Sequence, residues 1–432
     1  MIRRVRPFIR QHETHRHLAG RILPVLSRWL TALDAIIVPA SRPAAQNLVH
    51  AVDLARALNC RLVVFCSHQA RAAEVNALAA ARQFDRVLAI DLPPGYGHKL
   101  LNFTSSGITR GELPAVCENP NGDLSTKRNL GLLLARIAGW KRIFFMDDDI
   151  RNVAPDDLRA TISMLGRYQT AGMRVIDFPD NSVVCHANRQ TGRAQDVFVS
   201  GSVLAVSTTK PFNFFPEVYN EDWLFFYDDA RSGQLGSSDR PATQLRYDPF
   251  EPPQRAERQE FGDVLAEGLY ALLDEGHGIT MATTTEYWNQ FLGARRDFLE
   301  NILKRADKVD PDIQAKMVSA VQTAMLSLMQ TKPAMYENYV KAWRKDISAW
   351  AENVKHLPRS LSVESALGEL GLTGSASGQA EASPPPLLVA PNVPVADAPV
   401  INAPATDASA LRVGADTPVP APEPAMPGNV AI

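Results

Sequence analysis

The sequence has little of what marks disulfide-rich, membrane-spanning or secreted proteins. Its 432 residues include only four cysteines, and these are scattered. Their spacing forms neither a disulfide framework nor a CxxC zinc pattern, so we expect a reducing, cytoplasmic environment. No apolar run approaches the roughly 20 residues that cross a bilayer. The arginines near the N-terminus precede no apolar segment, so we also expect no secretory signal.

A charge excess of either sign is also missing. Lysine and arginine together number 45, and aspartate and glutamate together number 47. Proteins that hold nucleic acid through bulk charge carry a strong basic excess. We therefore expect no nucleic-acid partner. The lack of a long apolar run likewise predicts no integral membrane segment. The length predicts one large domain or two ordinary ones, with ample core.

What is present is a regular alternation of apolar runs and helical patterns over residues 33–290. The apolar runs indicate strands, at 35–38, 61–66, 86–90 and 143–146. The segments with apolar residues every three or four positions indicate helices, at 44–58, 70–81 and 124–138. Strands that alternate with helices predict an α/β fold with a mostly parallel sheet flanked by helices.

A basic arm, residues 1–32, precedes this region. We expect it to include a helix that ends near residues 29–30. Its three closely spaced histidines are His12, His15 and His17. A metal site is one alternative for them, but a solvated arm is the expected outcome.

Two further segments follow the α/β region. Residues 291–357 repeat apolar side chains every three or four positions, which predicts a helical extension docked on the α/β domain. An oligomer contact through this extension is left open. Residues 358–432 form a linker and a tail rich in proline and alanine, and the tail's composition predicts disorder.

The densest chemical signal is the run Asp147–Asp149. Four apolar residues, 143–146, lead straight into these three acids. The pattern predicts a buried strand whose carboxyl end delivers negative charge to a cleft, where ligands of α/β proteins bind. Adjacent carboxylates repel one another unless a cation neutralises them, and Mg²⁺ or Mn²⁺ prefers such oxygens. From the acids alone, a metal site and an acidic turn are equal alternatives.

Three other features are suited to a phosphate and sugar site. They are Pro39, Ser41 and Arg42 after the first strand, Lys127 and Arg128 at a helix start, and Glu221 and Asp222 in an aromatic segment. Serine, lysine and arginine donate to phosphates, and a helix start favours anions. A carboxyl group among aromatic residues is a candidate general base. A proline turn and a helix N-cap are the alternatives for the first and third features.

Taken together, these motifs resemble the GT-A glycosyltransferases, of the broad family 2 type. The resemblance implies that Asp147 and Asp149 are the DXD acids that hold Mn²⁺ or Mg²⁺ on the donor diphosphate. It implies that Arg128 belongs to the family's basic helix and that Asp148 supports the loop or meets the ribose or sugar. Glu221 and Asp222 resemble the later ED motif, whose aspartate deprotonates the acceptor hydroxyl in inverting members.

The implied activity is metal-dependent transfer of a sugar from a UDP- or GDP-sugar to an acceptor hydroxyl. The segment 200–202 resembles the acceptor-side loop of the family. The acids usual after the second strand are replaced by residues 66–69, and the QxxRW motif is absent, which argues against a processive polysaccharide synthase. His277 is a candidate third metal ligand, with His186 as a second candidate. The acceptor and the stereochemical outcome are left open.

Other classes share parts of this pattern. A haloacid-dehalogenase-type phosphatase also has Asp-x-Asp at a strand end, but here Ile150 and Arg151 follow the acids and the pattern fails. A nucleotidyltransferase acting on a sugar phosphate would begin with a glycine-rich loop, and residues 39–45 hold no glycine. A degenerate transferase fold that serves as a scaffold is the non-enzymatic alternative.

Overall fold

The computed structural model describes residues 11–21, 32–112, 122–178, 181–196 and 199–376. The helix predicted near residues 29–30 and the tail beyond residue 376 lie outside the described residues. None of the described helices combines the length and the apolar character needed to cross a bilayer. The described chain is a mixed α/β structure with one sheet flanked by helices.

Nine strands form this sheet. They are β1 (Ala35–Ala40), β2 (Arg61–Cys66), β3 (Val87–Asp91), β4 (Arg142–Met146), β5 (Ile150–Arg151), β6 (Thr170–Ile176), β7 (Val203–Ser207), β8 (Leu235–Gln244) and β9 (Ser375–Ala376). Their order across the sheet is β5-β8-β6-β7-β4-β1-β2-β3-β9. The first three predicted strands and the strand before the acids are therefore adjacent in space.

The sheet is mixed, which corrects the prediction of a mostly parallel one. β4, β1, β2 and β3 run parallel to one another, as do β6 and β8. The other four neighbouring pairs in the described chain are antiparallel. The regular crossover pattern ends after β4, and β7 then lies between β4 and β6, antiparallel to both. The parallel part is the part in which the sequence alternates regularly.

Fourteen α-helices lie in the described chain. They are α1 (Ala44–Asn47), α2 (Val49–Leu58), α3 (Ala72–Ala81), α4 (Thr104–Glu112), α5 (Leu124–Ala138), α6 (Pro155–Ser163), α7 (Val183–Gln190), α8 (Glu221–Phe225), α9 (Tyr227–Arg231), α10 (Gln254–Asp274), α11 (Thr285–Leu303), α12 (Pro311–Gln330), α13 (Pro333–Lys355) and α14 (Val363–Glu369). α5 leads directly into β4, so the basic helix start and the acidic strand end belong to one unit.

The central strands are buried on both faces, as parallel strands covered by helices usually are. Ile37 and Phe145 pack into one apolar cluster, while Val38 and Phe144 pack into the cluster on the opposite face. All four side chains are fully buried. Burying a side chain of this size contributes roughly 1.5–3 kcal/mol. The sheet is therefore a rigid support for the loops at its carboxyl edge.

The helical extension packs into the same core rather than forming a separate one. The predicted boundary at residue 290 lies inside α11. Trp350 of α13 is buried and donates from Nε1 to the carbonyl of Phe212 at 2.9 Å. Asp346 of the same helix accepts from the backbone N–H groups of Thr104 and Ser105 at 3.0 and 2.8 Å and so caps α4.

The described part of the N-terminal arm is docked, which corrects the prediction of solvated histidines. His15 is only 1% exposed and lies between two acids, with Nδ1 2.7 Å from Asp274 and Nε2 3.2 Å from Glu267. Its ring also packs edge-on against Trp223. Burial opposes the charged form, but the two carboxylates outweigh it and raise the pKa of His15 to about 9. The arm therefore adds a buried cation to the core.

Candidate functional site

The predicted site residues converge at the carboxyl ends of β1 and β4. The acid run begins one residue after β4, and its first backbone N–H, from Asp147, donates to the carbonyl of Ser202 at 3.0 Å. Ser41 and Arg42 follow β1, and α5 brings Lys127 and Arg128 to the same edge. This is the edge at which ligands bind in open α/β sheets. Pro39 lies within β1 and is buried.

Asp148 fixes the turn after β1. Its Oδ2 accepts from the backbone N–H groups of Ser41 and Arg42 at 2.8 and 2.9 Å. Its Oδ1 bonds to the Arg42 guanidinium, which also donates to Asp149 Oδ2 at 3.2 Å. Both oxygens of Asp148 are thus bonded to the protein. The geometry fits a carboxylate that supports the loop.

Arg128 joins the acid run to the second acidic pair. It is 3% exposed, and its Nη2 lies 2.9 and 3.0 Å from the two oxygens of Asp147. Its Nη1 donates to Glu221 Oε1 at 2.5 Å. Burial opposes the charge on Arg128, but Asp147 and Glu221 outweigh it and raise its pKa. A buried arginine between two carboxylates holds both in place.

Lys127 is fully buried and binds backbone and side-chain oxygens of the strand ends. Its Nζ donates to the carbonyl of Ala40 at 2.8 Å, to Ser41 Oγ at 3.0 Å and to Ser67 Oγ at 2.6 Å. An ion pair with Asp123 lies at 3.1 Å. Burial lowers the pKa of Lys127, while Asp123 favours its charged form. Because protein oxygens already satisfy its three donors, Lys127 acts by joining the ends of β1 and β2.

Asp222 is oriented by two backbone donors at the start of α8. Its Oδ2 accepts from Gly201 N–H at 2.6 Å, and its Oδ1 accepts from Trp223 N–H at 2.9 Å. Burial raises the pKa of Asp222 and of Glu221, against the lowering effect of Arg128. A carboxyl group held in this way and with a raised pKa is suited to accept a proton near neutral pH.

Gly201 permits this arrangement. A Cβ atom on Gly201 would lie 2.6 Å from Asp222 Cβ and 2.8 Å from Arg128 Nη1, closer than real Cβ contacts. Residues 199–202 form a loop, and β7 begins at Val203. Only a residue without a side chain brings the loop backbone this close to the acid.

Asp149 accepts two long side-chain hydrogen bonds. It is 6% exposed and receives Gln244 Nε2 at 3.3 Å besides Arg42. Burial raises the pKa of Asp149 to about 6, and Asp147 and Asp148 add to the rise while Arg42 opposes it. Sequence reasoning missed Gln244, because it lies in β8, far along the chain, and no motif marks it.

The site holds more carboxyl groups than arginines. Its carboxyl groups are Asp147, Asp148, Asp149, Glu221 and Asp222. Within the described residues, the arginines that bond to these carboxylates are Arg42 and Arg128. Lys127 is paired separately with Asp123. The remaining excess is negative, in a position where a divalent cation would offset it.

The two predicted histidine ligands have their described contacts with other residues. His277 follows α10, with Nε2 3.8 Å from Glu275 Oε2, and no contact described in the structure joins it to the acid run. His186 is buried and stacked on Phe178, and burial lowers its pKa to about 4. A contact of either histidine with the three aspartates stays a prediction.

A group of three clustered metal-ligating side chains also lies away from the acid run. It consists of Cys185, Asp263 and Glu267, with candidate ligand atoms within 4.8 Å of one another. Asp263 is already paired with Arg295 at 2.6 Å, and Glu267 with His15 at 3.2 Å. Since these acids are neutralised by protein cations, the group is better explained as core structure.

A cavity of about 870 Å³ opens beside the site, at the ends of β2 and β3. It is lined by Cys66, Ser67, His68, Arg71, Asp91, Leu92, Pro93, Pro94, Gly95, Tyr96, Arg110, Gly122, Asp123 and Thr126. Its size is within the range of cofactor-sized pockets. Lys127 connects it to the acid run, because Ser67 and Asp123 line the cavity and both contact that lysine. The sequence pattern marked residues 66–69 only as a departure from the family.

Comparisons with known proteins found similarity among solved structures. No family model and no curated protein matches the sequence. Among solved structures, the mannosyltransferase PcManGT from Pyrobaculum calidifontis, in complex with GDP-Man and Mn²⁺, is similar over 67% of this chain and 86% of its own. Its sequence identity is 12% and the TM-score is 0.31. The roles proposed below rest on the geometry of this chain alone.

Proposed function

We propose that this protein is a metal-dependent glycosyltransferase of the GT-A type, which moves a sugar from a nucleoside diphosphate sugar to an acceptor hydroxyl. One observation carries the proposal. Asp147–Asp149, Arg128 and the pair Glu221–Asp222 meet at the carboxyl edge of parallel strands, beside a cavity of about 870 Å³. Transfer from such a donor requires acids for a cation, a base for the acceptor and room for a nucleotide.

The cavity supports the assignment of the donor nucleotide. It lies at the ends of β2 and β3 and reaches the first turn of α5 through Thr126. The start of this helix favours the negative charge of a diphosphate. The nucleoside of a UDP- or GDP-sugar would fill the cavity, with the diphosphate towards Ser41 and the acid run.

The acid run fits a divalent cation in charge and in donor type. Asp147 and Asp149 would hold Mn²⁺ or Mg²⁺ through carboxylate oxygens, which these hard cations prefer. The excess of acids over arginines and the raised pKa of Asp149 both favour an added cation. When bound, the cation offsets the charge that develops on the departing diphosphate. A third ligand from His277 stays a prediction.

Asp222 is the proposed general base. The acceptor oxygen attacks the anomeric carbon, the bond from that carbon to the diphosphate oxygen breaks, and the hydroxyl proton passes to a carboxylate oxygen of Asp222. Gly201 and Trp223 hold this carboxylate in place through their N–H groups. Arg128 bonds to both Glu221 and Asp147, and so fixes the position of the base relative to the acid run. Direct attack of this kind inverts the anomeric configuration.

A ligand-binding screen tests the donor and cation. We expect a UDP- or GDP-sugar to raise the melting temperature in the presence of Mn²⁺, and Asp149→Ala to abolish the metal-dependent part. Asp156→Ala is the matched control, because that side chain is 92% exposed and lies just beyond the acid run. No stabilisation by any nucleotide sugar would refute the proposal.

A transfer assay tests the base. We expect Asp222→Asn to retain donor-induced stabilisation and to lose transfer by about 10²–10⁴-fold, the usual contribution of a general base. Release of pyrophosphate from a nucleoside triphosphate and a sugar phosphate would instead identify a nucleotidyltransferase. Unchanged transfer by Asp222→Asn would exclude Asp222 as the base.

A further inference from the structure

We infer that a second cavity, on the helical side of the molecule, binds a small organic phosphate. It has a volume of about 560 Å³ and lies between α9, the 3-10 helix Ile279–Thr283 and α13. None of its lining residues lines the cavity at the ends of β2 and β3. The site is therefore distinct from the proposed donor site and does not depend on the proposed function.

Positive charge dominates its wall. Arg231, Lys341, Arg344 and Lys345 line the cavity together with a single acid, Asp228. Arg231 is paired with Asp228 at 3.0 Å, and Lys341 is paired with Glu337 at 2.5 Å.

Arg344 and Lys345 are the two cations left over. Both are exposed, and within the described residues neither has an acidic partner in ion-pair range. Two uncompensated positive charges match the dianion of a phosphate monoester, which carries about two negative charges near neutral pH. Arg344 can also bind two phosphate oxygens at once, because its guanidinium presents parallel donors.

Two of the lining residues carry buried donors. Tyr227 and Trp343 line the cavity and are each 1% exposed. The hydroxyl of Tyr227 and the Nε1 of Trp343 have no hydrogen-bond partner within the described residues. Nearly all buried polar atoms in proteins have a partner, so two orphans at one cavity point to a ligand that bonds to them. Both groups donate, which suits an acceptor-only anion.

The cavity is too large for a bare phosphate ion and too apolar for a purely ionic ligand. Ile279 and Ile347 form apolar wall next to the cations. Its volume is within the range of small-molecule sites. A phosphate group bonded at Arg344, with a short carbon skeleton against the isoleucines, satisfies both the charged and the apolar lining. The inferred ligand class is a soluble phosphate monoester.

Calorimetric titration of the full chain with glycerol 3-phosphate tests this inference. We expect saturable binding at one site and about tenfold or greater weakening in Arg344→Ala/Lys345→Ala, since charge-assisted hydrogen bonds are lost. Tyr227→Phe removes only a hydroxyl and should weaken binding by a smaller factor. Arg296→Ala/Lys308→Ala is the matched control, because it removes one exposed arginine and one exposed lysine outside the cavity lining and should bind as the parent does.

The same titration can overturn the inference. Equal binding by the parent and by Arg344→Ala/Lys345→Ala would exclude this cavity, and would assign the phosphate to the acid-run site or elsewhere. Citrate that binds as tightly as glycerol 3-phosphate would overturn the phosphate class. Binding only to phosphatidylcholine vesicles that contain phosphatidic acid, and not to the soluble compound, would overturn the soluble source. Absence of binding to any of these probes would reject the site.

Discussion

Two clusters of charged side chains, each with buried members, can be compared in this molecule. The site cluster comprises Arg42, Arg128, Asp147, Asp148, Asp149, Glu221 and Asp222. The core cluster comprises Glu260, Asp263, Glu267, Asp274, Arg295, His12, His15 and His17. In the site cluster five carboxyl groups meet two arginines, whereas in the core cluster four carboxyl groups meet four basic side chains.

The difference lies in the kind of basic side chain that faces the acids. The core cluster contains histidines, and His15 takes up a proton because two carboxylates raise its pKa to about 9. The site cluster has only arginines, which are already charged, so the excess must be met by protons on the acids or by an added cation. The core cluster therefore contains a histidine that protonates against its acids, whereas an added cation is a way to offset the acids of the site cluster.

The largest expected effect comes from breaking the core cluster at Arg295. This guanidinium is fully buried and bonds to Glu260 at 2.8 and 2.7 Å and to Asp263 at 2.6 Å. We expect Arg295→Met to lower the free energy of unfolding by about 3–5 kcal/mol, because buried acids lose their partner. Urea denaturation measures it, with the exposed neighbour Arg296→Met as control. A loss below about 1 kcal/mol would show that the core cluster does not hold the fold.

Next in size is the effect of filling the space at Gly201. A methyl group there would displace Asp222 and Arg128, since its Cβ would lie within 3 Å of both. We expect Gly201→Ala to lower transfer by about 100-fold, as a misplaced catalytic group does. The core cluster, and hence most of the stability, should be preserved. Gly107→Ala is the control, because nothing lies within 4 Å of its Cβ position; equal activity in both variants would contradict the prediction.

The core cluster should also give the free energy of unfolding a pH dependence through His15. The folded-state pKa of His15, about 9, lies above its ordinary value of 6.5. Its contribution is therefore fully present below about pH 6.5 and is lost as pH rises through 9, by about 2–3 kcal/mol. Urea denaturation at pH 6 and pH 9.5 should show this loss in the parent. His15→Gln should lack it, and the same loss in that variant would assign it to another group.

The smallest expected effect is a gain in the free energy of unfolding, from a substitution at Asp149. Burial raises the pKa of Asp149 to about 6, so its charged form destabilises the folded state at neutral pH. We expect Asp149→Asn, without added metal, to raise the free energy of unfolding by about 1 kcal/mol, because weaker bonds from Arg42 and Gln244 offset most of the roughly 3 kcal/mol gained by removing the charge. Asp263→Asn in the core cluster should lower it instead, because Arg295 and Ser182 bond to that carboxylate. Destabilisation by Asp149→Asn would contradict the view of a site with excess acid.

Local patterns predicted the position of the site better than its contacts. The apolar run before Asp147 fixes a strand end, and the basic start of α5 must lie near it because α5 feeds that strand. The bond from Arg42 to Asp148, by contrast, spans 106 positions along the chain. The contacts of His15 with Trp223 and of Gln244 with Asp149 are also long-range pairings, which no periodicity encodes.

The same reasoning explains the error in the sheet. Strand and helix alternate regularly up to β4, and in that part the predicted parallel pairing is confirmed. After β4 the intervals between strands are irregular, and the position of β7 between β4 and β6 depends on burial of Val203–Ser207 between two neighbours. Sequence alternation specifies which segments are strands but does not specify their neighbours.

The docking of α13 has a consequence for cooperativity. Asp346 caps α4, and Trp350 bonds to the loop that follows β7, so the α/β part and the extension share backbone partners as well as core. The catalytic domain suggested by family resemblance is consequently not the unit that folds. The docked arm, the α/β part and the extension should melt in a single calorimetric transition, with the van't Hoff and calorimetric enthalpies equal.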